Sequence, residues 1–411
     1  MRLRDRFFYG FKTHEIPARH SVIARRIRDK LRPRTDRHDH IEHFYRSFPD
    51  CFVRFDGWHA QDDLSTLLAV ALRIFPDVER LPGSRDYFKM EHKGVEFEIV
   101  PVLRIRAAHE VKNVTDASPL HVGWILRHLE RKPELRNDIL LTKLFLKAND
   151  LYGAESYIRG FSGHIVDLLV IHYGSFLGLL RAASAWKEPT VIDVEGHHKD
   201  ALLAINKSKH GPLMLVDPVQ PERNAAAALS RENFLRLREV AREFLAKPTK
   251  AMFHRKELTK SDLLAKARGR KLILMEAIPH EGKHDVMGAR MLKVFEFFTH
   301  SLLDAGFSVE DAGWRFTPKR GGEPHALLWF ILPRKALSHS FEREGPLASD
   351  EEHARRFRES HRHVSHKGKR LCAIVKRKHR RPEALIRALL DEKHPYIEER
   401  ASRITLAVRA P

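Results

Sequence analysis

Acidic side chains on a short apolar strand are the first feature of this sequence that could do chemistry. In Val95–Val100 apolar and acidic residues alternate, so a strand there would carry Glu96 and Glu98 on one face. Asp50 stands directly before a second strand-like run, Cys51–Phe55. Carboxylates held in this way can bind Mg²⁺, which takes oxygen ligands and bridges them to nucleotide phosphates. A half-exposed hairpin strand with solvated glutamates shows the same pattern, so the pattern alone leaves both interpretations open.

The elements that would position these carboxylates are predicted from apolar spacing. Residues 62–75 have helical spacing, and residues 87–103 alternate as a β-hairpin. The pattern from 119 to about 245 is helical, and Ser230 is a candidate N-cap for the last helix of that stretch. Beyond it the pattern changes to mixed helix and strand, with predicted strands at 271–278, 326–332 and 371–375 and helices at 289–303 and 382–390.

Composition indicates the class of protein. The chain has 411 residues, of which 43% are hydrophobic, so we expect two or three folded domains rather than a disordered chain. The two cysteines, Cys51 and Cys372, exclude a disulfide scaffold or a cysteine-built zinc site and suit a reducing compartment. No apolar run in the sequence approaches the roughly 20 residues that a membrane span needs, so we expect a cytoplasmic protein.

The excess of positive charge indicates a polyanionic partner. Lys and Arg number 74 against 54 Asp and Glu, which gives a formal charge of +20. The excess is distributed over several segments, at 25–28, 255–271, 355–362 and 367–381. A distributed excess fits a nucleic acid that lies across several domains better than one small anion pocket. A generic basic surface is the alternative interpretation.

Several longer stretches resemble the archaeal-type (class I) CCA-adding enzymes. They are Lys93–Pro101 (KGVEFEIVP), Ala117–His121 (ASPLH), Leu144–Glu155 (LFLKANDLYGAE), Arg159–Gly163 (RGFSG), Ile171–Phe176 (IHYGSF) and Val216–Ala227 (VDPVQPERNAAA). The resemblance spans about 51–390 and is strongest between 93 and 245. Because these stretches are long and follow one another in order, the chain is identified as a member of that family.

The resemblance implies a multidomain α+β fold. It divides the chain into an unmatched basic segment at 1–50, an incomplete nucleotidyltransferase palm (head) at 51–108, a helical, nucleotide-binding neck at 109–248, an α+β body at 249–345 and a small basic tail at 346–411. The implied activity is to add or repair the 3′-terminal CCA of tRNA without a nucleic acid template, using CTP and ATP and releasing pyrophosphate. The implied partners are the acceptor and T arms of tRNA, and the implied assembly is a homodimer.

The same resemblance assigns roles to individual positions. It implies that Asp50 and Glu98 hold the catalytic Mg²⁺. It also implies contacts to the nucleotide from His121, Lys143, Tyr152, Arg159 and Arg223. Lys143 would supply a point charge for phosphate, whereas the two arginines would supply forked donors. Asp217 stands in the same loop as Arg223 and is either a simple turn residue or part of the site.

The first fifty residues depart from the family pattern. The family has a pair of carboxylates on its metal-binding strand, and while the second falls on Asp50, the first falls on Phe48, which cannot bind a metal. Gly83–Ser84 followed by Glu96 and Glu98 imitates the general nucleotidyltransferase pattern, but we interpret it as a coincidence in a turn. Either the residues before position 51 are a misread or misplaced start of the gene, or the palm has decayed. The abrupt beginning of the resemblance favours the first explanation.

Two other functions remain open from the sequence. One is a non-catalytic tRNA-binding remnant with a degenerate palm, and the other is a nucleotidyltransferase with a different RNA substrate, such as a poly(A) polymerase. The missing carboxylate at Phe48 favours the binding protein. The presence together of Lys143, Tyr152 and Arg159 favours the enzyme, because a binding protein has no need of all three.

Overall fold

The computed structural model describes residues 50–56, 63–92, 95–256, 258–317 and 323–409. Phe48 and the rest of the segment before Asp50 lie outside the described residues. The chain divides into two compact units. The first extends to Ala154 and resumes with Gly160–His254, and the second consists of Glu155–Arg159 and the chain from Arg255 onward.

The first unit begins with a small sheet and one helix. These elements are β1 (Asp50–Phe55), α1 (Leu64–Leu72), β2 (Glu79–Leu81), β3 (Tyr87–His92) and β4 (Val95–Leu103). The four strands are ordered β1-β4-β3-β2, and β1 pairs with β4 in parallel, whereas the other pairs are antiparallel. The structure therefore confirms the predicted hairpin and the predicted helix, which is shorter than the sequence indicates.

Alternation along the strands builds the core of this sheet. Phe97 and Ile99 of β4 are fully buried, as expected for the apolar face of the predicted strand. Asp63 explains why α1 begins at Leu64, because its Oδ1 accepts the backbone N–H groups of Ser65 at 3.0 Å and Thr66 at 3.1 Å.

The rest of the first unit is mostly helical. Its elements are α2 (Ser118–Arg131), α3 (Leu135–Ala148), α4 (Gly163–Tyr173), α5 (Phe176–Ala185), β5 (Thr190–Asp193), α6 (Ala201–Ala204), β6 (Leu213–Val216) and α7 (Arg231–Ala246). Ser162, Ser175 and Ser230 cap α4, α5 and α7, each hydroxyl accepting the backbone N–H three residues on. The predicted cap at Ser230 is thus confirmed.

Part of the stretch predicted to be helical is a two-stranded parallel sheet. β5 pairs with β6 in a register that matches Thr190 with Leu213 and Asp193 with Val216. All four residues of β6 are buried. A short apolar run that is buried on every side has no periodicity to distinguish strand from helix, so the helical prediction was wrong here. The consequence for the site is that Asp217 follows directly from the end of a buried strand.

The second unit combines two sheets with helices. Its elements are α8 (Lys260–Lys266), β7 (Lys271–Pro279), α9 (His284–Asp304), β8 (Asp311–Thr317), β9 (His325–Leu332), β10 (Ser340–Leu347), α10 (Glu351–Ser360), β11 (Val364–Lys367), β12 (Arg370–Lys376), α11 (Pro382–Asp391), α12 (Pro395–Glu398) and β13 (Ala401–Arg409). One sheet has the order β13-β7-β9-β8 and the other β10-β12-β11. Met291, Val294 and Phe298 of α9 are fully buried in the core of this unit.

The last strand, β13, was not predicted from the sequence. It pairs antiparallel with β7 over a register that runs from Ala401 opposite Pro279 to Arg409 opposite Leu272. The segment predicted as the tail therefore ends in a strand of the sheet that β7 and β9 build. Ser402, Arg403 and Thr405 interrupt the apolar residues of β13, which weakens its apolar signal.

No single helix among the described residues is long and apolar enough to cross a membrane. One pair, α4 and α5, passes the criteria of length and composition together, but the two helices are bent by 94° at their junction. Both contribute fully buried residues to the core of the first unit, including Val166, Leu168 and Leu180.

Candidate nucleotide-binding site

The strands β1 and β4 place the two predicted metal-binding positions side by side. Their parallel register sets Asp50 opposite Glu98, and neighbouring strands lie about 4.8 Å apart. The Glu98 side chain is 34% exposed, and its Oε1 lies 3.2 Å from the Lys89 ammonium. Two carboxylate positions of this kind can supply the oxygen ligands that Mg²⁺ prefers. Phe48, to which the resemblance assigns the position of the third family ligand, lies outside the described residues.

The Gly83–Ser84 pair lies between β2 and β3, away from the start of β4. The Ser84 carbonyl accepts a hydrogen bond from the Asn113 side-chain amide at 2.7 Å, which holds the turn. This placement agrees with the interpretation of the pair as a turn.

Directly after this turn, Arg85 forms an ion pair with the fully buried Asp116, a contact that was not predicted. Asp116 Oδ1 also accepts the backbone N–H of Leu103, the last residue of β4, at 2.9 Å. The buried carboxylate therefore joins the end of β4 to the turn that leads into α2.

Lys143 and Tyr152 meet at the beginning of α4. A Cβ atom added to Gly163 would lie 3.1 Å from the Tyr152 hydroxyl and 3.8 Å from the Lys143 ammonium. The Lys143 ammonium also lies 2.9 Å from Asp167 Oδ1, one turn further along α4. Because the lysine side chain is 13% exposed and the aspartate side chain 17%, this is a largely buried ion pair.

Two opposing effects act on the pKa of the Asp167 carboxyl group. Burial raises its pKa above the ordinary value, whereas the positive charge of Lys143 and the neighbouring His164 lower it. Lys143 therefore both favours the charged form of Asp167 and presents an ammonium group near the start of α4.

A second group of side chains is centred on Asp217, which is fully buried. His121 Nε2 lies 2.8 Å from Asp217 Oδ1 and 3.0 Å from Oδ2. His164 Nε2 lies 3.3 Å from Oδ2, and Arg223 Nη1 approaches the same oxygen at 3.3 Å. The carboxylate therefore orients side chains that come from α2, from α4 and from its own loop.

Asp217 is also a turn residue, so both interpretations left open by the sequence hold. Its Oδ1 accepts the backbone N–H groups of Val219 at 2.9 Å and Gln220 at 3.0 Å. Burial would raise the pKa of Asp217, but the hydrogen bonds from His121 and His164 outweigh it and hold the pKa well below its usual range. Asp217 is therefore a stable anion at neutral pH.

These two groups adjoin each other in the first unit. Gly163, which contacts Lys143 and Tyr152, is followed directly by His164, which hydrogen-bonds to Asp217. Four of the predicted nucleotide contacts thus gather around the first turn of α4, namely His121, Lys143, Tyr152 and Arg223. Arg159 belongs to the segment counted with the second unit, and its backbone has a φ of 54°, which is unusual for a residue other than glycine.

Sequence reasoning missed the acidic and imidazole partners of these residues. His164 was assigned only to a helix, and Asp167 was not singled out. The signal available for His164 was its position two residues after Ser162, the cap of α4, since the beginning of a helix favours anions.

Two donor sets are candidates for holding a cation, one predicted from the sequence and one present among the described side chains. The first is the predicted pair of carboxylates at positions 50 and 98, which the register of β1 and β4 sets opposite each other. The second is His121, His164 and Asp217, whose donor atoms all lie within 4.8 Å of one another. In the second set the carboxylate already accepts hydrogen bonds from both imidazoles and two backbone amides, and the Arg223 cation lies against it. That set is therefore an anion surrounded by donors, and we assign no metal to it.

Comparison with known proteins identifies the relatives of this chain. A family profile described as "tRNA nucleotidyltransferase, second domain" matches residues 137–254, and one described as "CCA-adding enzyme, C-terminal domain" matches residues 283–396. Curated relatives with the name CCA-adding enzyme include proteins of Nanoarchaeum equitans, Methanoregula boonei and Archaeoglobus fulgidus.

The three relatives match to different extents. The Nanoarchaeum protein is 39% identical over 191 residues, which cover 45% of this chain and 48% of the relative. The Methanoregula protein is 29% identical over 306 residues, or 73% of this chain and 63% of the relative. The Archaeoglobus protein is 30% identical over 322 residues, or 75% of this chain and 68% of the relative.

The chain thus spans between about half and about two thirds of the length of these relatives. The match to the Archaeoglobus protein and the two domain matches run through both units of the structure. On this evidence the chain belongs to the CCA-adding enzyme family.

Proposed function

We propose that this chain adds or repairs the 3′-terminal CCA of tRNA without a nucleic acid template, using CTP and ATP and releasing pyrophosphate. The observation that supports this most is the set of side chains gathered at the start of α4, which includes His121, Lys143, Tyr152 and Arg223. A binding protein for tRNA alone has no need of a lysine and an arginine each oriented by its own buried acid.

The triphosphate is proposed to lie at the beginning of α4. The first turn of a helix carries partial positive charge and free backbone N–H groups, which favour phosphate oxygens. The Lys143 ammonium and the Tyr152 hydroxyl are both within reach of that turn, because each lies close to the position that a Cβ of Gly163 would take. Gly163 leaves this space open by having no side chain.

Arginine and histidine would complete the contacts to the nucleotide. Arg223 is oriented by Asp217 yet 49% exposed, so its remaining N–H groups are available for a ligand. His121 presents a ring that is 12% exposed beside it. Arg159 is proposed as a further forked donor for phosphate, on the basis of the resemblance alone.

Asp50 and Glu98 are the residues that would hold Mg²⁺, since the parallel register of β1 and β4 sets their two positions opposite each other. When bound, the ion would neutralise charge on the triphosphate and favour ionisation of the tRNA 3′-hydroxyl. The chain's own residues bind the triphosphate and fix its orientation. Phe48 offers no ligand, so we expect binding of Mg²⁺ to be weaker than with three carboxylates.

The tRNA is proposed to bind through the positive charge of the whole chain, most of all through its C-terminal part. Arg355, Arg356 and Arg358 of α10 are exposed, and more Lys and Arg residues lie between 367 and 381. Phosphate and shape contacts of this kind suit the acceptor and T arms of tRNA. Head, neck, body and tail are retained as proposed domains. A homodimer is the assembly that the resemblance implies, and light scattering on the purified protein would test it.

The activity is tested with tRNA that ends before its CCA. CTP alone should extend the tRNA by two nucleotides, and CTP with ATP should extend it by three, whereas GTP and UTP should add none. Glu98→Gln should abolish the extension without changing tRNA affinity. If the wild-type chain binds this tRNA but adds no nucleotide, it is the non-catalytic remnant instead.

A further inference from the structure

In both His121 and His164 one ring nitrogen is hydrogen-bonded to Asp217 and the other is not. Both Nε2 atoms lie against the Asp217 carboxylate, and the two ring centroids are 4.6 Å apart. Among the described residues, neither Nδ1 atom has a hydrogen-bond partner. The side chains are 12% and 23% exposed, so each ring has one edge open to solvent or ligand.

The protonation of the two rings follows from the chemistry of Asp217. An ionised carboxylate can only accept hydrogen bonds, so each Nε2 must carry the hydrogen. In a neutral ring Nδ1 is then a bare acceptor, which a phosphate oxygen would repel. In a charged ring Nδ1 carries a hydrogen and becomes a donor to phosphate.

The charges around the rings explain when they would take up a proton. Lys143 is paired with Asp167, and Arg223 is paired with Asp217, so these four charges cancel. Two charged rings 4.6 Å apart would repel each other. With neutral rings these paired residues carry no net charge, and the Lys147 ammonium, 4.8 Å from the Tyr152 ring, adds one positive charge nearby. A bound triphosphate would bring several negative charges among them.

We propose that His121 and His164 form a pair of triphosphate contacts that take up protons as the nucleotide binds, with Asp217 as the positioning residue for both. The inference rests on the proposed function, because it concerns the same nucleotide site. It adds His164 to the residues that contact the ligand. It also makes nucleotide affinity depend on pH through these two rings.

Neighbouring groups act on the two rings in opposite directions. The positive end of α4 opposes a charge on His164, which lies in the first turn of that helix. The positive charges of Lys143 and Arg223 also oppose a positive charge on His164. Asp217 and Asp167 favour it, and the triphosphate would add to their effect. Binding of the triphosphate is thus the change that favours the charged form of the two rings.

Calorimetric titration with CTP, without added metal and at a pH where CTP is fully ionised, tests the proposal. The binding heat is measured in buffers of different ionisation enthalpy, because its slope gives the number of protons taken up. The variants are His164→Gln and Asp217→Asn, and the control is His172→Gln, a half-exposed histidine in the last turn of the same helix. Circular dichroism checks that each variant is folded.

The wild type and His172→Gln should take up about one proton or more per CTP and bind with equal affinity. His164→Gln should take up fewer protons and bind about tenfold more weakly. Asp217→Asn should show both effects. If His164→Gln matches the wild type in proton uptake and affinity, the proposal is wrong and the proposed function still stands. If the wild type binds no CTP, both are wrong.

Discussion

Asp217 is the residue that joins the predicted nucleotide contacts to the core of the first unit. Its carboxylate is fully buried and accepts hydrogen bonds from His121, His164, Arg223 and two backbone amides. Such an anion is stable only while its donors remain in place. Conversely, the donors are held in one orientation only while the anion is charged.

The stability of the protein should therefore depend on pH through Asp217. Hydrogen bonds from the two histidines hold its folded pKa well below the ordinary value, so its contribution is present above about pH 4 and is lost as the pH falls below that. We expect Asp217→Asn to lower the melting temperature clearly at pH 7 but much less near pH 2. Differential scanning fluorimetry of both proteins across this range measures the difference. A constant difference in melting temperature would contradict the assignment.

Lys143 should affect both stability and nucleotide binding. Removing it leaves Asp167 as a buried charge without a partner, so Lys143→Ala should lower the free energy of unfolding by about 3 kcal/mol. It should also weaken the binding of CTP and ATP alike, by about tenfold or more.

Two further variants separate these effects. The double variant with Asp167→Asn should recover most of the stability but not the nucleotide affinity. Lys132→Ala, which removes an exposed lysine after α2, is the control. Unchanged affinity of Lys143→Ala for both nucleotides would show that the carried-over role is wrong.

The sequence indicates individual site residues better than it indicates their partners. Lys143 and Tyr152 stand in recognisable stretches, and their role as nucleotide contacts stays a prediction. The contact of His121 with Asp217 joins residues 96 positions apart, and no local pattern reports such a contact. His164 and Asp167 are partly buried residues of an apolar helix, where single polar residues usually indicate only packing.

At the scale of elements, the start of α4 determines the geometry of the site. Ser162 caps the helix, and Gly163 follows without a side chain, so Lys143 and Tyr152 can both approach the first turn. His164 then faces Asp217 from the same turn. The beginning of α4 therefore positions both groups of side chains.

Gly163→Ala tests this role of the helix start. The added methyl group would lie 3.1 Å from the Tyr152 hydroxyl, so the tyrosine must move, whereas the helix itself should tolerate alanine well. We expect CTP affinity to fall roughly fivefold, which corresponds to about 1 kcal/mol, with little change in melting temperature. Gly123→Ala in α2 is the matched control, because its methyl group meets only Arg127 Nη1 at 3.8 Å. Equal effects of the two substitutions would show that the space at Gly163 is not special.

The elements that the sequence predicts well are those with a clear period. β4 was predicted because Phe97 and Ile99 alternate with acidic residues, and α7 because its apolar residues follow helical spacing after Ser230. β6 was missed because all of its side chains are buried, and β13 because it is an edge strand with exposed polar residues. Its pairing with β7 depends on contacts more than a hundred residues apart, which the local sequence does not encode.

At the scale of the whole molecule, the charge of +20 should govern tRNA affinity. Each Lys or Arg that neutralises a phosphate releases counterions, so affinity should fall by about 10³-fold or more between 50 and 200 mM salt if six or more phosphates are contacted. Glu98→Gln should show the same salt dependence as the wild type, because it removes a proposed metal ligand and no positive charge. Filter binding with tRNA that lacks CCA measures both. A weak salt dependence would show that the distributed charge does not bind the tRNA.

The most direct test of the account is nucleotide addition under single-turnover conditions, with the protein in excess over tRNA that lacks CCA and with saturating CTP, ATP and Mg²⁺. Excess protein makes slow chemistry visible, which matters because the resemblance places Phe48 where the family has a metal ligand. The account predicts ordered addition of two CMP and one AMP by the wild type. In a second series at CTP concentrations near the wild-type dissociation constant, it predicts addition by Lys143→Ala that is about fivefold slower or more. Bound tRNA that gains no nucleotide over several hours would contradict it.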